Sequence, residues 1–130
     1  MIATTRPTRP VLRYHDGKYR IAPWVCAHLP PHQLYTEPYC GSCACLMAKP
    51  RATGEIINDL DDDVVTVFQV LRDRLQAAEL ERLLRLTPYA HAEFRLAYEP
   101  ADCPIERARR TIVRSFMGYG SGCVTRASRH

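Results

Sequence analysis

Two stretches of strand-forming residues, each closed by a turn and followed at once by a helix, constrain this chain more than any other feature. Residues 33–37 read as a short strand between Pro30-Pro31 and a turn over residues 38–41. Ser42 is placed to cap a helix over residues 43–48, and Pro50 ends it. Residues 54–59 read as a second strand, built on Glu55-Ile56-Ile57-Asn58 and closed by Asp59. A helix between two strands is the crossover that makes them parallel neighbours. The expected class is α/β, the opening of a doubly wound sheet. Two strands do not complete such a sheet, so the fold is expected to be incomplete.

Helices account for the rest. Ile21, Trp24, Val25 and Leu29 form a stripe that predicts a helix over residues 18–29. Residues 60–75 predict a long amphipathic helix, with Asp61, Asp62 and Asp63 at its positive end and Val64, Val67, Phe68 and Leu71 facing inward. Further helices are expected over residues 77–86, with Leu80, Leu83 and Leu84 inward, over 91–98, and over 105–117 behind Pro104. Residues 1–12, with Pro7, Pro10 and no apolar period, read as a flexible lead-in. Residues 13–76 then form the α/β portion and 77–130 a helical segment.

A length of 130 residues suits one domain, and 46% apolar with 25% charged residues is the balance of a chain that packs a core. The net charge of +4 permits a nucleic-acid partner without requiring one. No stretch reaches the length of a membrane span, and the start carries Arg6 and Arg9 without the apolar run of a secretory signal. No membrane partner and a cytoplasmic location are therefore expected. Cys26, Cys40, Cys43, Cys45, Cys103 and Cys123 are then expected as reduced thiols. Cys40, Cys43 and Cys45 resemble half a zinc site, with His28 and His32 as the nearest further ligands. The second knuckle is missing, so small buried fillers are the favoured role and no metal is expected.

The chemistry concentrates at the strand ends. In α/β sheets a ligand lies beyond the carboxyl ends of the strands. There the sequence has Glu37-Pro38-Tyr39-Cys40-Gly41-Ser42, with a glycine that lets the backbone approach a cofactor. About 20 residues on, Asp59 stands where an acid accepts hydrogen bonds from ribose hydroxyls in nucleoside-binding sheets. Asp61, Asp62 and Asp63 are alternatives better explained as first-turn acids. Upstream, Tyr14-His15-Asp16-Gly17-Lys18 opens a helix with a lysine that opposes the helix dipole, which points to a charged ligand.

Taken in order, these pieces resemble the Dam-like, D12-class family of DNA adenine-N6 methyltransferases. The family opens with aromatic-x-Gly-Gly-Lys, which stands here as Tyr14-His15-Asp16-Gly17-Lys18, with Asp16 for the first glycine. Its cofactor loop, Glu-Pro-Phe-x-Gly-x-Gly, stands as Glu37-Pro38-Tyr39-Cys40-Gly41-Ser42-Cys43, with Tyr39 for phenylalanine and Cys43 for the last glycine. Asn58-Asp59-Leu60-Asp61 is similar to the family's acidic strand end, and the ordered set spans about residues 11–129. The resemblance implies a Rossmann-like fold dependent on S-adenosylmethionine (SAM), followed by a helical target-recognition segment. Tyr14, Gly17, Lys18, Glu37, Pro38, Tyr39, Gly41 and Asp59 would bind SAM, with Asp59 on the ribose and Lys18 near DNA as well.

The family's catalytic tetrapeptide, Asp/Asn-Pro-Pro-Tyr/Phe, acts on an adenine extruded from the duplex. Glu37-Pro38-Tyr39 and Thr87-Pro88-Tyr89 each have one proline and do not qualify. The resemblance thus implies a methyltransferase portion without its catalytic motif, inactive alone and completed by a second, carboxy-terminal polypeptide. Double-stranded DNA is the implied partner. Helical spacing puts Arg107, Arg110 and Arg114 on one face, which suits phosphates, and Arg126 follows a glycine-rich turn. A basic DNA-binding module without enzymatic activity is the alternative.

Overall fold

The computed structural model describes residues 7–14 and 17–118. The elements run α1 (Ala22–Ala27), β1 (Leu34–Glu37), α2 (Ala44–Ala48), β2 (Gly54–Ile57), α3 (Asp62–Arg72), α4 (Arg74–Leu86), α5 (His91–Leu96) and α6 (Pro104–Met117). Strands β1 and β2 pair in parallel from Leu34↔Gly54 to Glu37↔Ile57. The ladder is carried past the strand ends, because Asn58 N–H donates to the Glu37 carbonyl at 2.9 Å and Cys40 N–H to the Asn58 carbonyl at 2.8 Å. The two connections that follow the strands therefore leave the sheet side by side. This is a mixed helix and strand architecture around a small two-stranded parallel sheet, compatible with an incomplete α/β methyltransferase fold.

Local chemistry sets the element bounds, and several differ from the sequence expectation. The first helix begins at Ala22 rather than residue 18, with Pro23 in its first turn. Ala22 packs with Ala44 and Cys45 of α2, which turns Ile21 and Trp24 outward and displaces the expected stripe. The Cys43 backbone, at φ 53°, precedes α2, and no side chain caps that helix; Ser42 is buried instead of capping. The long helix expected over residues 60–75 is broken at Asp73. That residue has extended ψ, ends α3, and accepts from Leu75 and Gln76 N–H at 3.0 Å each to start α4. An aspartate is among the best N-caps, so it can open a helix inside an apolar period that would otherwise continue.

The core has three parts. Leu12, Cys40, Cys43, Val64 and Phe68 form the cluster beneath the turn after β1. Leu12 is fully buried, so the expected flexible lead-in does not extend to it. Val67 and Val70 of α3, Leu80 of α4 and Ala108 of α6 form the second cluster. It crosses the division expected at residue 77, so the helical segment shares a core with the α/β portion. Ala22, Ala44 and Cys45 form the third. Among the described residues no helix is long and apolar enough to cross a membrane.

Candidate cofactor site at the strand ends

Asp59 and Gly41 meet. The Asp59 Oδ2 oxygen accepts from Gly41 N–H at 2.8 Å, and Oδ1 accepts from Asp61 N–H at 3.0 Å. One carboxylate thus ties the glycine turn after β1 to the turn after β2. A carboxylate offers about four lone-pair directions, so two remain for other donors. Asp61 in turn caps α3 through a 2.9 Å bond from Asp63 N–H, and burial raises its pKa.

The turn needs its glycine. Gly41 is buried with φ +51°, and an added Cβ would lie 3.1 Å from Cδ1 of Tyr14. The Tyr14 ring therefore lies against Gly41. Burial raises the Tyr14 pKa, with Asp59 and Asp61 adding to the effect. Gly17 N–H donates to the Tyr14 carbonyl at 3.0 Å, which bends the chain toward Lys18, whose side chain is exposed. His15 and Asp16 of that motif lie outside the described residues.

Cys43 stands where the family pattern has glycine, and its backbone keeps the left-handed conformation that favours glycine. Its side chain is fully buried in the cluster below the turn.

Glu37, Pro38 and Tyr39 have separate fates. The Glu37 carboxylate turns inward and accepts from Leu46 N–H at 3.2 Å, joining β1 to α2. Burial raises its pKa; the Leu46 bond, Lys18 and a hydrogen bond with Tyr35 oppose the shift. The Pro38 carbonyl accepts from the Asn58 side chain at 3.2 Å. Tyr39 is exposed, and so is Leu60, just after Asp59. The sequence reading took Asp61 as a first-turn helix acid and gave Leu60 no role of its own; the spacing Asp59-Leu60-Asp61 is typical of the side-chain-closed turn that forms here.

Residues 14–94, more than half of the chain, match the family model described as D12 class N6 adenine-specific DNA methyltransferase. The chain belongs to this family. No curated protein matches it. The matched span of this D12-class methyltransferase takes in Tyr14, the Glu37–Gly41 turn and Asp59, and it stops before α6.

The arginines of α6 require a correction. Arg114 is buried, and donates to Asp63 at 2.9 Å and to the Ala97 carbonyl at 2.6 Å. Arg107 pairs with the same Asp63. Arg110 donates to Glu106 at 2.8 Å and to the Glu99 and Pro100 carbonyls at 3.0 Å each. The expected free cationic face is thus a paired face, buried at Arg114 and partly exposed at Arg107, that fastens α6 to α3 and to the chain that follows α5. Asp63 and Glu106, whose roles the sequence reading assigned only to the helix dipole or not at all, supply the counter-charges. Arg126 lies outside the described residues. Cys40, Cys43 and Cys45 do not converge on a metal-binding arrangement, since no such group of three or more ligands exists among the described residues.

Proposed function

We propose that this chain is the SAM-binding portion of a Rossmann-like DNA adenine-N6 methyltransferase. The Asp59–Gly41 hydrogen bond carries the reading, because it brings together at the carboxyl ends of adjacent parallel strands the two groups such a cofactor would touch. The residues fit the cofactor in kind. The unused lone pairs of Asp59 would accept from ribose hydroxyls, and the Gly41 turn, which carries no side chain there, would lie against the methionine moiety. Exposed Lys18 would meet the cofactor carboxylate or a DNA phosphate, and exposed Tyr39 and Leu60 would give apolar cover. Glu37 acts indirectly, by holding β1 to α2. When bound, SAM supplies the methyl group; everything else in the transfer step depends on protein groups.

The 130 residues contain no Asp/Asn-Pro-Pro-Tyr/Phe tetrapeptide. The isolated chain is therefore proposed to bind SAM without methylating DNA, with a complementing polypeptide supplying the catalytic strand and most of the contact to double-stranded DNA. The rival reading, a basic DNA-binding module, loses support because Arg107, Arg110 and Arg114 are paired with carboxylates of the protein itself. Calorimetric titration with SAM tests the proposal. Saturable binding is expected, with Asp59→Ala weakening it by about tenfold or more. A chain that binds DNA but gives no heat with SAM would sink it.

A further inference from the structure

The cofactor reading uses neither of two buried cysteines that flank Gly41. Cys43 N–H donates to the Cys40 carbonyl at 2.8 Å, closing the four-residue turn Cys40-Gly41-Ser42-Cys43. Such a turn brings its end Cα atoms within roughly 7 Å, and a disulfide spans roughly 4.4–6.8 Å. Both side chains belong to one cluster with Leu12, Val64 and Phe68, and both thiols are free. Interaction between the two thiols holds Cys40 below the usual thiol range and, with burial, pushes Cys43 above it. Cys40 is the better nucleophile of the pair, and Cys43 lies beside it to resolve a mixed disulfide.

We infer that Cys40 and Cys43 form a reversible thiol–disulfide pair that controls the Gly41 turn. The oxidant is a small-molecule disulfide of the glutathione class. The Cys40 thiolate attacks one of its sulfurs, that S–S bond breaks, and a mixed disulfide forms as one small thiolate leaves. The Cys43 thiolate then attacks the Cys40 sulfur and expels the second. Two cysteine thiols are oxidised, one small disulfide is reduced, and the two cysteine protons end on the two released thiols. Both sulfurs are buried, so exchange proceeds through local opening of the turn, for which the five-residue α2 is a small unit. The bridge must reorient a turn in which Gly41 and Cys43 both hold positive φ, and it loosens the Gly41–Asp59 hydrogen bond.

The consequence for SAM rests on the proposed function; the pair itself does not. The reduced 130-residue chain is treated with oxidised glutathione at neutral pH, digested without reductant and mapped by mass. Exposed Cys103 reports that the reagent has reacted. The expected result is loss of two hydrogens from the peptide carrying residues 40–43, reversal by dithiothreitol, and Gly41 amide exchange faster by about tenfold. Cys43→Ser is expected to stop at a glutathione adduct on Cys40, whereas Cys45→Ser should oxidise like the parent. An unmodified 40–43 peptide, a bridge to Cys45 instead, or unchanged Gly41 exchange in the oxidised chain would overturn the inference. SAM titration then separates the two ideas. Affinity that falls on oxidation and returns with dithiothreitol extends the pair to the cofactor, and a reduced chain that ignores SAM removes the cofactor reading while a mapped 40–43 bridge still stands.

Discussion

Asp63, in the first turn of α3, holds the buried guanidinium of Arg114, 51 residues further along the chain, at 2.9 Å. The side chains are 7% and 1% exposed, so neither charge has bulk water as a substitute partner. Removing one partner of such a pair costs about 3–5 kcal/mol, mostly because the other charge is stranded. Asp63→Ala is therefore expected to lower the urea midpoint severely, and the double change Asp63→Leu with Arg114→Met to recover most of the loss. A single variant as stable as the parent in urea unfolding would contradict the clamp.

At Gly41 two effects combine. The φ of +51° disfavours any side chain, and a Cβ would meet the Tyr14 ring at 3.1 Å. The left-handed backbone alone costs about 1–2 kcal/mol. Gly41→Ala is expected to lose at least that much, and Tyr14→Ala in the same chain to relieve only the contact part. Thermal unfolding of the three variants separates the contributions; complete rescue by Tyr14→Ala would show that the backbone conformation is unimportant.

How much could be seen in the sequence follows the range of the interactions. Gly41 and Asp59 were legible because turn chemistry and strand-end acids leave local signatures, and the structure joins them through one hydrogen bond. The helix bearing the arginines was legible to within a residue at its start, from Pro104 and the apolar period. Its inner face was not. Charge on a helix looks solvent-exposed until its counter-charge is known, and Asp63 is remote in sequence. Asp73 was also missed, because an aspartate between Arg72 and Arg74 reads as an exposed helix position unless its cap geometry is seen. Cys43 carried the opposite problem: glycine's conformation persists there without glycine.

Acid should loosen α6. Hydrogen bonds from Arg109, helped by Arg110 and opposed by burial, hold the Glu106 carboxyl at about 2 in the folded chain. An unfolded glutamate titrates near about 4.3. The folded pKa is the lower one, so the stabilisation is fully present above the unfolded value. It is lost as pH falls through about 4 toward about 2. Glu106→Gln is expected to be less stable at neutral pH and to show a flatter decline over that window. Parallel stability–pH curves for the two chains would rule out this origin.

The Asp73 cap offers the cleanest separation of helix architecture from the cofactor site. Its exposed carboxylate binds Leu75 and Gln76 N–H, and these bonds hold its pKa down. Asp73→Ala removes the oxygen that accepts both bonds at the start of α4 and is expected to lower the thermal midpoint, as the loss of an N-cap does. The strand ends lie on other elements, so SAM binding by the variant should match the parent at temperatures where both are folded. Asp73→Asn should retain most of the stability, since an amide oxygen still caps. If Asp73→Ala instead left stability unchanged while hydrogen exchange showed α3 and α4 protected as one unit, the chain would have a continuous helix there, and the break at Asp73 would be wrong.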